Sequence, residues 1–76
     1  MADRGEKVQA LRLKYEAAIA ESKVEIENYL THSVGVAEHP HIIESLDKLI
    51  TQLTDAEDKL YSLNKHFSIN LYAREI

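Results

Sequence analysis

Histidine is the residue type in this sequence best able to assemble an active or metal site. His32, His39 and His41 lie close together in the chain with Glu38, and neutral imidazoles with a carboxylate can bind zinc or another divalent ion. Their spacing matches no common metal motif, and His39 and His41 flank a proline instead of standing one helical turn apart. We therefore interpret them as polar residues near a helix start, and we expect no metal ion and no cofactor.

Other kinds of catalytic chemistry have little support in the composition. The chain contains no cysteine, which excludes thiol catalysis, disulfides and zinc–thiolate sites. It contains no Gly-rich phosphate loop, serine nucleophile elbow or nucleotide-binding fingerprint. A chain of 76 residues and 8.7 kDa leaves little room for the concave site that shifts a carboxylate pKa. We expect that this protein is not an enzyme.

The helix-breaking residues divide the chain into two arms. Gly35 and Pro40 flank one short stretch, and Gly5 stands near the start of the first arm. The sequence predicts a single domain with a helix over about residues 4–32, a turn over 33–39, a helix over about 40–67 and a tail over 68–76.

Each arm begins with a helix-start signal. Asp3 and Glu6 are spaced as a capping pair, which predicts a helix that begins at Arg4. Pro40 suits a first helical turn because its missing N–H would be unpaired there anyway. We therefore predict that the second helix begins at Pro40.

The second arm carries an a/d heptad pattern, which is typical of a coiled coil. Its apolar residues recur at spacings of four and three: Ile42, Leu46, Leu49, Leu53, Ala56, Leu60, Leu63 and Phe67. The first arm has a matching series: Val8, Leu11, Tyr15, Ala18, Ser22, Ile26 and Tyr29. Because the connection is short and the arms are similar in length, we predict an all-α fold, an antiparallel two-helix coiled-coil hairpin.

The first arm carries a second apolar series on roughly its opposite side. This series is Ala10, Leu13, Ala17, Ala20 and Val24, offset by two residues from the first at about 100° per residue. One helix cannot cover both series. We therefore expect self-association, most simply two hairpins that form a four-helix bundle, or docking on a larger helical partner.

The net charge of −4 hides an uneven distribution. Residues 1–14 and 59–76, which a hairpin places at its open end, hold seven basic and three acidic side chains, whereas residues 15–58 hold two basic and ten acidic ones. The candidate nucleic-acid contacts at the open end are Arg4, Lys7, Arg12, Lys14, Lys59 and Lys65. Basic groups interleaved with tyrosines can bind a single strand weakly. The alternative is that the aromatic rings belong to the core and the lysines only solubilise the surface.

Hydropathy gives no indication of a membrane. No apolar run approaches the roughly 20 residues that span a bilayer, and the first residues lack the apolar core of a signal peptide. We expect a soluble cytoplasmic protein with no membrane partner.

Residues 28–67 resemble small helical proteins encoded by T4-like tailed bacteriophages. In these proteins a Tyr-Leu pair precedes a Val-Gly-Val/Ile-Gly-Glu-His-Pro turn and a helix with an Ala-Glu-Asp-Lys-Leu segment. The matching positions here are Tyr29, Leu30, Val34, Gly35, Val36, Glu38, His39, Pro40 and Ala56 to Leu60, and Ala37 replaces the second glycine. The match covers a little over half of the chain.

The resemblance implies an accessory protein in the cytoplasm of an infected bacterium, with a role in DNA recombination, repair or replication. Two other roles remain open. The hairpin could be a structural or assembly component of the virion, or it could inhibit a host protein through its acidic turn end.

Overall fold

The computed structural model describes residues 3–32 and 41–67, which form two helices packed against each other. Helix α1 spans Arg4–Thr31 (28 residues), and helix α2 spans Ile42–His66 (25 residues). The start of α1 contacts the end of α2, so the helices are antiparallel. The predicted all-α helical hairpin is therefore confirmed. The predicted turn at 33–39 and tail at 68–76 lie outside the described residues.

The first residues of α1 form the capping box that the sequence predicts. The Asp3 carboxylate oxygen Oδ1 accepts from the Glu6 backbone N–H at 2.8 Å, and the Asp3 backbone N–H donates to Glu6 Oε1 at 3.0 Å. Both bonds satisfy groups that the helix itself leaves unpaired. The prediction that α1 begins at Arg4 is confirmed, and its end at Thr31 is within one residue of the predicted end.

Helix α2 begins later than predicted. Its N-cap is His41 and its first helical residue is Ile42, two residues after the predicted start at about residue 40. His41 makes no side-chain capping hydrogen bond; its ring nitrogen Nδ1 lies 3.2 Å from Glu44 Oε1 instead. The sequence specifies the first residue of a helix less sharply than its interior, because a helix end can shift by one or two residues.

The heptad series of the second arm and the matching series of the first arm meet between the helices. The buried residues are Val8, Ser22 and Ile26 of α1 and Leu49, Ala56 and Leu63 of α2. The other members of both series are half-buried, except Leu11 (40 % exposed) and Phe67 (54 % exposed). Both residues lie in the half of the hairpin that contains the N-terminal end of α1 and the C-terminal end of α2.

The core is thin because two helices alone cannot surround a side chain. In the described part of the chain no large side chain is completely buried, and Ala56 and Ser22, each 4 % exposed, are the most enclosed residues. A small domain buries a smaller share of its surface than a large one does. The hairpin therefore gains limited stability from its own interior.

Candidate functional site

The side of α1 that faces away from α2 carries an uncovered apolar surface. We call it the outer face and define it by the second apolar series: Ala10, Leu13, Ala17, Ala20 and Val24. All five residues are exposed. Leu13 retains 55 % and Val24 60 % of its accessible surface. The structure thus places the predicted self-association residues together on one surface that α2 does not cover.

Charged side chains border the outer face on both sides. At about 100° per residue, Lys14 and Glu21 lie along one edge, and Glu16 and Lys23 lie along the other. All four side chains are exposed. An apolar centre with charged edges is the arrangement seen in helices that pair with another helix.

Two of the candidate nucleic-acid residues, Arg4 and Arg12, form hydrogen bonds between the helices at the open end. The Arg4 guanidinium donates from Nη2 to the Phe67 carbonyl oxygen at 2.9 Å. Arg12 donates from Nε to Asn64 Oδ1 at 3.2 Å, and its Nη1 also bonds Gln9 Oε1. Both arginines therefore have a structural role that spacing along the sequence did not indicate.

Two further candidate nucleic-acid residues, Lys59 and Lys65, place their ammonium groups over aromatic rings. The Lys59 ammonium is 6.0 Å from the centroid of the Tyr15 ring, and the Lys65 ammonium is 5.6 Å from that of Tyr61. Such cation–π contacts at exposed sites contribute roughly 0.5–1 kcal/mol. Lys59 and Lys65 remain exposed, so their charges stay accessible to an anion.

The remaining two predicted contacts, Lys7 and Lys14, are exposed on the same side of α1. Arg12 lies on the other side, so the cations surround the open end instead of forming one stripe. This arrangement gives a diffuse positive potential, which attracts an anion without fixing its orientation.

An open groove of about 340 Å³ lies at the open end. Its lining consists of Val8, Leu11, Leu63, Phe67, Arg4 and Lys7. The sequence placed these residues at one end of the hairpin but did not predict a groove, because a groove depends on how far the helix ends separate.

The histidines do not form a metal cluster in the part of the chain that the structure describes. No group of three or more His, Asp or Glu side chains there is placed to hold a metal ion. His32 caps the end of α1, and His41 pairs with Glu44 as described above. His39 and Glu38, which the sequence places beside them, lie outside the described residues.

Comparisons of the chain with family models, with curated proteins and with solved structures gave no match. Neither described helix is long and apolar enough to cross a membrane. The resemblance to phage proteins stays a prediction. Leu13 and Val24 make the outer face of α1 an exposed apolar surface.

Proposed function

We propose that this protein is a non-enzymatic helical interaction protein that self-associates through the outer face of α1. The exposure of Leu13 and Val24 on that face carries the proposal. Covering a leucine or valine that is about half exposed gains roughly 1 kcal/mol, and a symmetric pair of chains covers four such side chains. The alanines between them let a second helix approach closely.

Analytical ultracentrifugation of the whole chain tests this proposal. We expect the average mass to rise from that of one chain towards that of two as the concentration increases from about 5 to about 500 µM. Ala17→Glu places a charge at the centre of the outer face while keeping a good helix former, so it should abolish the increase. The matched control is Gln52→Glu, which adds the same charge at an exposed position of α2 and should associate like the wild type. A wild-type chain that stays monomeric throughout would contradict the proposal.

We further propose that the self-associated protein is a phage accessory factor in DNA recombination, repair or replication. The resemblance of residues 28–67 to proteins of T4-like phages supports this role. A virion component and an inhibitor of a host protein are the competing roles.

A pull-down from infected cells, with and without nuclease treatment, separates these roles. Recombination or replication proteins that remain bound after nuclease treatment support the accessory role, and recovery that depends on intact DNA indicates an indirect association. Recovery of capsid or tail proteins would favour the virion role. Recovery of a single host protein would favour inhibition.

A further inference from the structure

The edges of the outer face carry a charge pattern that distinguishes between the two ways of pairing with a second copy. With Ala10, Ala17 and Val24 at heptad position a and with Leu13 and Ala20 at position d, the e positions are Lys14 and Glu21, and the g positions are Glu16 and Lys23. Each edge thus has one basic and one acidic side chain, one heptad apart, and the acidic residue comes second on the e edge but first on the g edge.

We propose, building on the self-association above, that the α1 helices of two copies pair antiparallel, with Leu13 against Val24 of the second copy. In this register Ala17 faces Ala20 of the second copy. Leu13 and Val24 then pack together on either side of the central Ala17–Ala20 pairs, and Ala10 lies beyond them, opposite Glu27 of the second copy. The central alanines put no bulky side chain between the helix axes, and the two Leu13–Val24 contacts remove the exposed apolar side chains of the outer face from water.

Symmetry decides which charges meet across this interface. The two-fold axis of an antiparallel pair is perpendicular to the helices and keeps each edge on its own side, so e faces e and g faces g. Lys14 then meets Glu21 of the second copy, and Glu16 meets Lys23 of the second copy. Each contact occurs twice, so four ion pairs of opposite charge border the apolar centre.

In a parallel pair of α1 helices, like charges would meet across the interface. Its two-fold axis runs along the helices and brings the g edge of one copy against the e edge of the other. Glu16 would then face Glu21 of the second copy, twice, and Lys14 and Lys23 would face the uncharged Gln9 and Asn28. Like charges at these positions disfavour the parallel arrangement.

The position of the outer face also determines the shape of the dimer. Because this face lies on the side of α1 away from α2, pairing through it gives a flat layer of four helices with the two α1 helices at the centre. The closed four-helix bundle expected from the sequence would instead cover apolar residues of α2. Ile43 and Ile50, which are 72 % and 46 % exposed, stay outside the contact in the flat layer.

Charge reversal tests the register. Lys14→Glu and Glu21→Lys should each weaken homodimerisation about ten-fold, because each variant creates two like-charged contacts. A mixture of the two variants should form a heterodimer of near wild-type strength, and so should the Lys14→Glu/Glu21→Lys double variant as a homodimer. Lys48→Glu and Glu57→Lys make the same charge changes at exposed positions of α2 and should leave association unchanged.

The sign of the Glu21→Lys effect distinguishes the two orientations. In a parallel pair this substitution would replace a repulsive contact with Glu16 by an attractive one, so stronger homodimers of this variant would overturn the proposal. A wild-type dimer that responds to neither reversal would overturn the register while leaving self-association intact. A monomeric wild type would overturn both.

Cysteine cross-linking provides a second readout, because the natural chain has no cysteine. We expect a mixture of Leu13→Cys and Val24→Cys chains to form a disulfide-linked dimer on mild oxidation, and neither variant alone to do so efficiently. In the proposed register, the two copies of residue 13 are separated by about 16 Å along the helix axis, at 1.5 Å per residue, which is too far for a disulfide. Efficient cross-linking of Leu13→Cys alone would show a parallel pair and overturn the proposal.

Discussion

At the residue scale, the start of α1 depends on two side chains that complete each other's hydrogen bonds. Asp3 and Glu6 exchange bonds of 2.8 and 3.0 Å between side chain and backbone. The Glu6 carboxylate also lies in the first turn, where the helix dipole favours negative charge. These contacts are local, so the sequence alone is sufficient to predict them.

We expect Asp3→Ala to destabilise the protein by about 1 kcal/mol, the usual cost of losing an N-cap side chain. Urea unfolding followed by circular dichroism, at one fixed chain concentration, measures the change. Asp58→Ala removes the same group from an exposed position in the middle of α2 and should stay within about 0.5 kcal/mol of the wild type. Equal losses in the two variants would show that the capping box does not stabilise the fold.

At the element scale, the two helices differ in how they use their apolar residues. Helix α2 has one a/d series, and Leu49, Ala56 and Leu63 within it are buried. Helix α1 divides its apolar residues between a buried side and the exposed outer face. Ser22 and Ala56, both small, are the most enclosed residues of the described helices.

We expect Leu49→Ala to destabilise the hairpin by about 2 kcal/mol, at the lower end of the range for buried leucines because a thin core can partly collapse. Leu49 is 7 % exposed. The control is Ile43→Ala, which removes an aliphatic side chain of the same size from a position that is 72 % exposed and should cost less than about 0.5 kcal/mol. Thermal and urea unfolding measure both variants, and equal losses would contradict the assignment of the buried series.

At the scale of the whole molecule, folding the chain in two separates its charges. Among the described residues, Arg4, Lys7, Arg12, Lys14, Lys59 and Lys65 lie around the open end with Asp3 and Glu6, and the other acidic residues lie in the remainder of the two helices. Intrachain contacts hold Arg4 and Arg12 in place, whereas Lys7 is exposed beside the groove. A negative overall charge therefore coexists with one end that attracts anions.

We expect weak binding of a single-stranded oligonucleotide that decreases as salt increases from about 50 to about 200 mM. Lys7→Gln and Lys65→Gln should each reduce the slope of log K against log salt by about 0.7, the contribution of one phosphate contact. Fluorescence anisotropy measures the slope. Lys48→Gln removes an equivalent charge away from the open end and should not change it. Binding whose slope is the same in all three variants would contradict contact at the open end.

The sequence alone predicted the features that depend on neighbours a few residues apart. The capping box, the α1 start and the heptad pattern of α2 all arise from spacings of three or four residues. The same spacings identified two apolar sides on α1. The late start of α2 escaped prediction because no side-chain capping signal marks His41.

Features that join distant parts of the chain were decided only by the tertiary structure. The bond from Arg4 to Phe67 connects residues 63 positions apart, and that from Arg12 to Asn64 connects residues 52 positions apart. The groove lined by Leu11, Leu63 and Phe67 likewise depends on how the helix ends meet. Local spacing determines which residues share a helix face, but the contact between the helices determines which face is covered and which stays exposed.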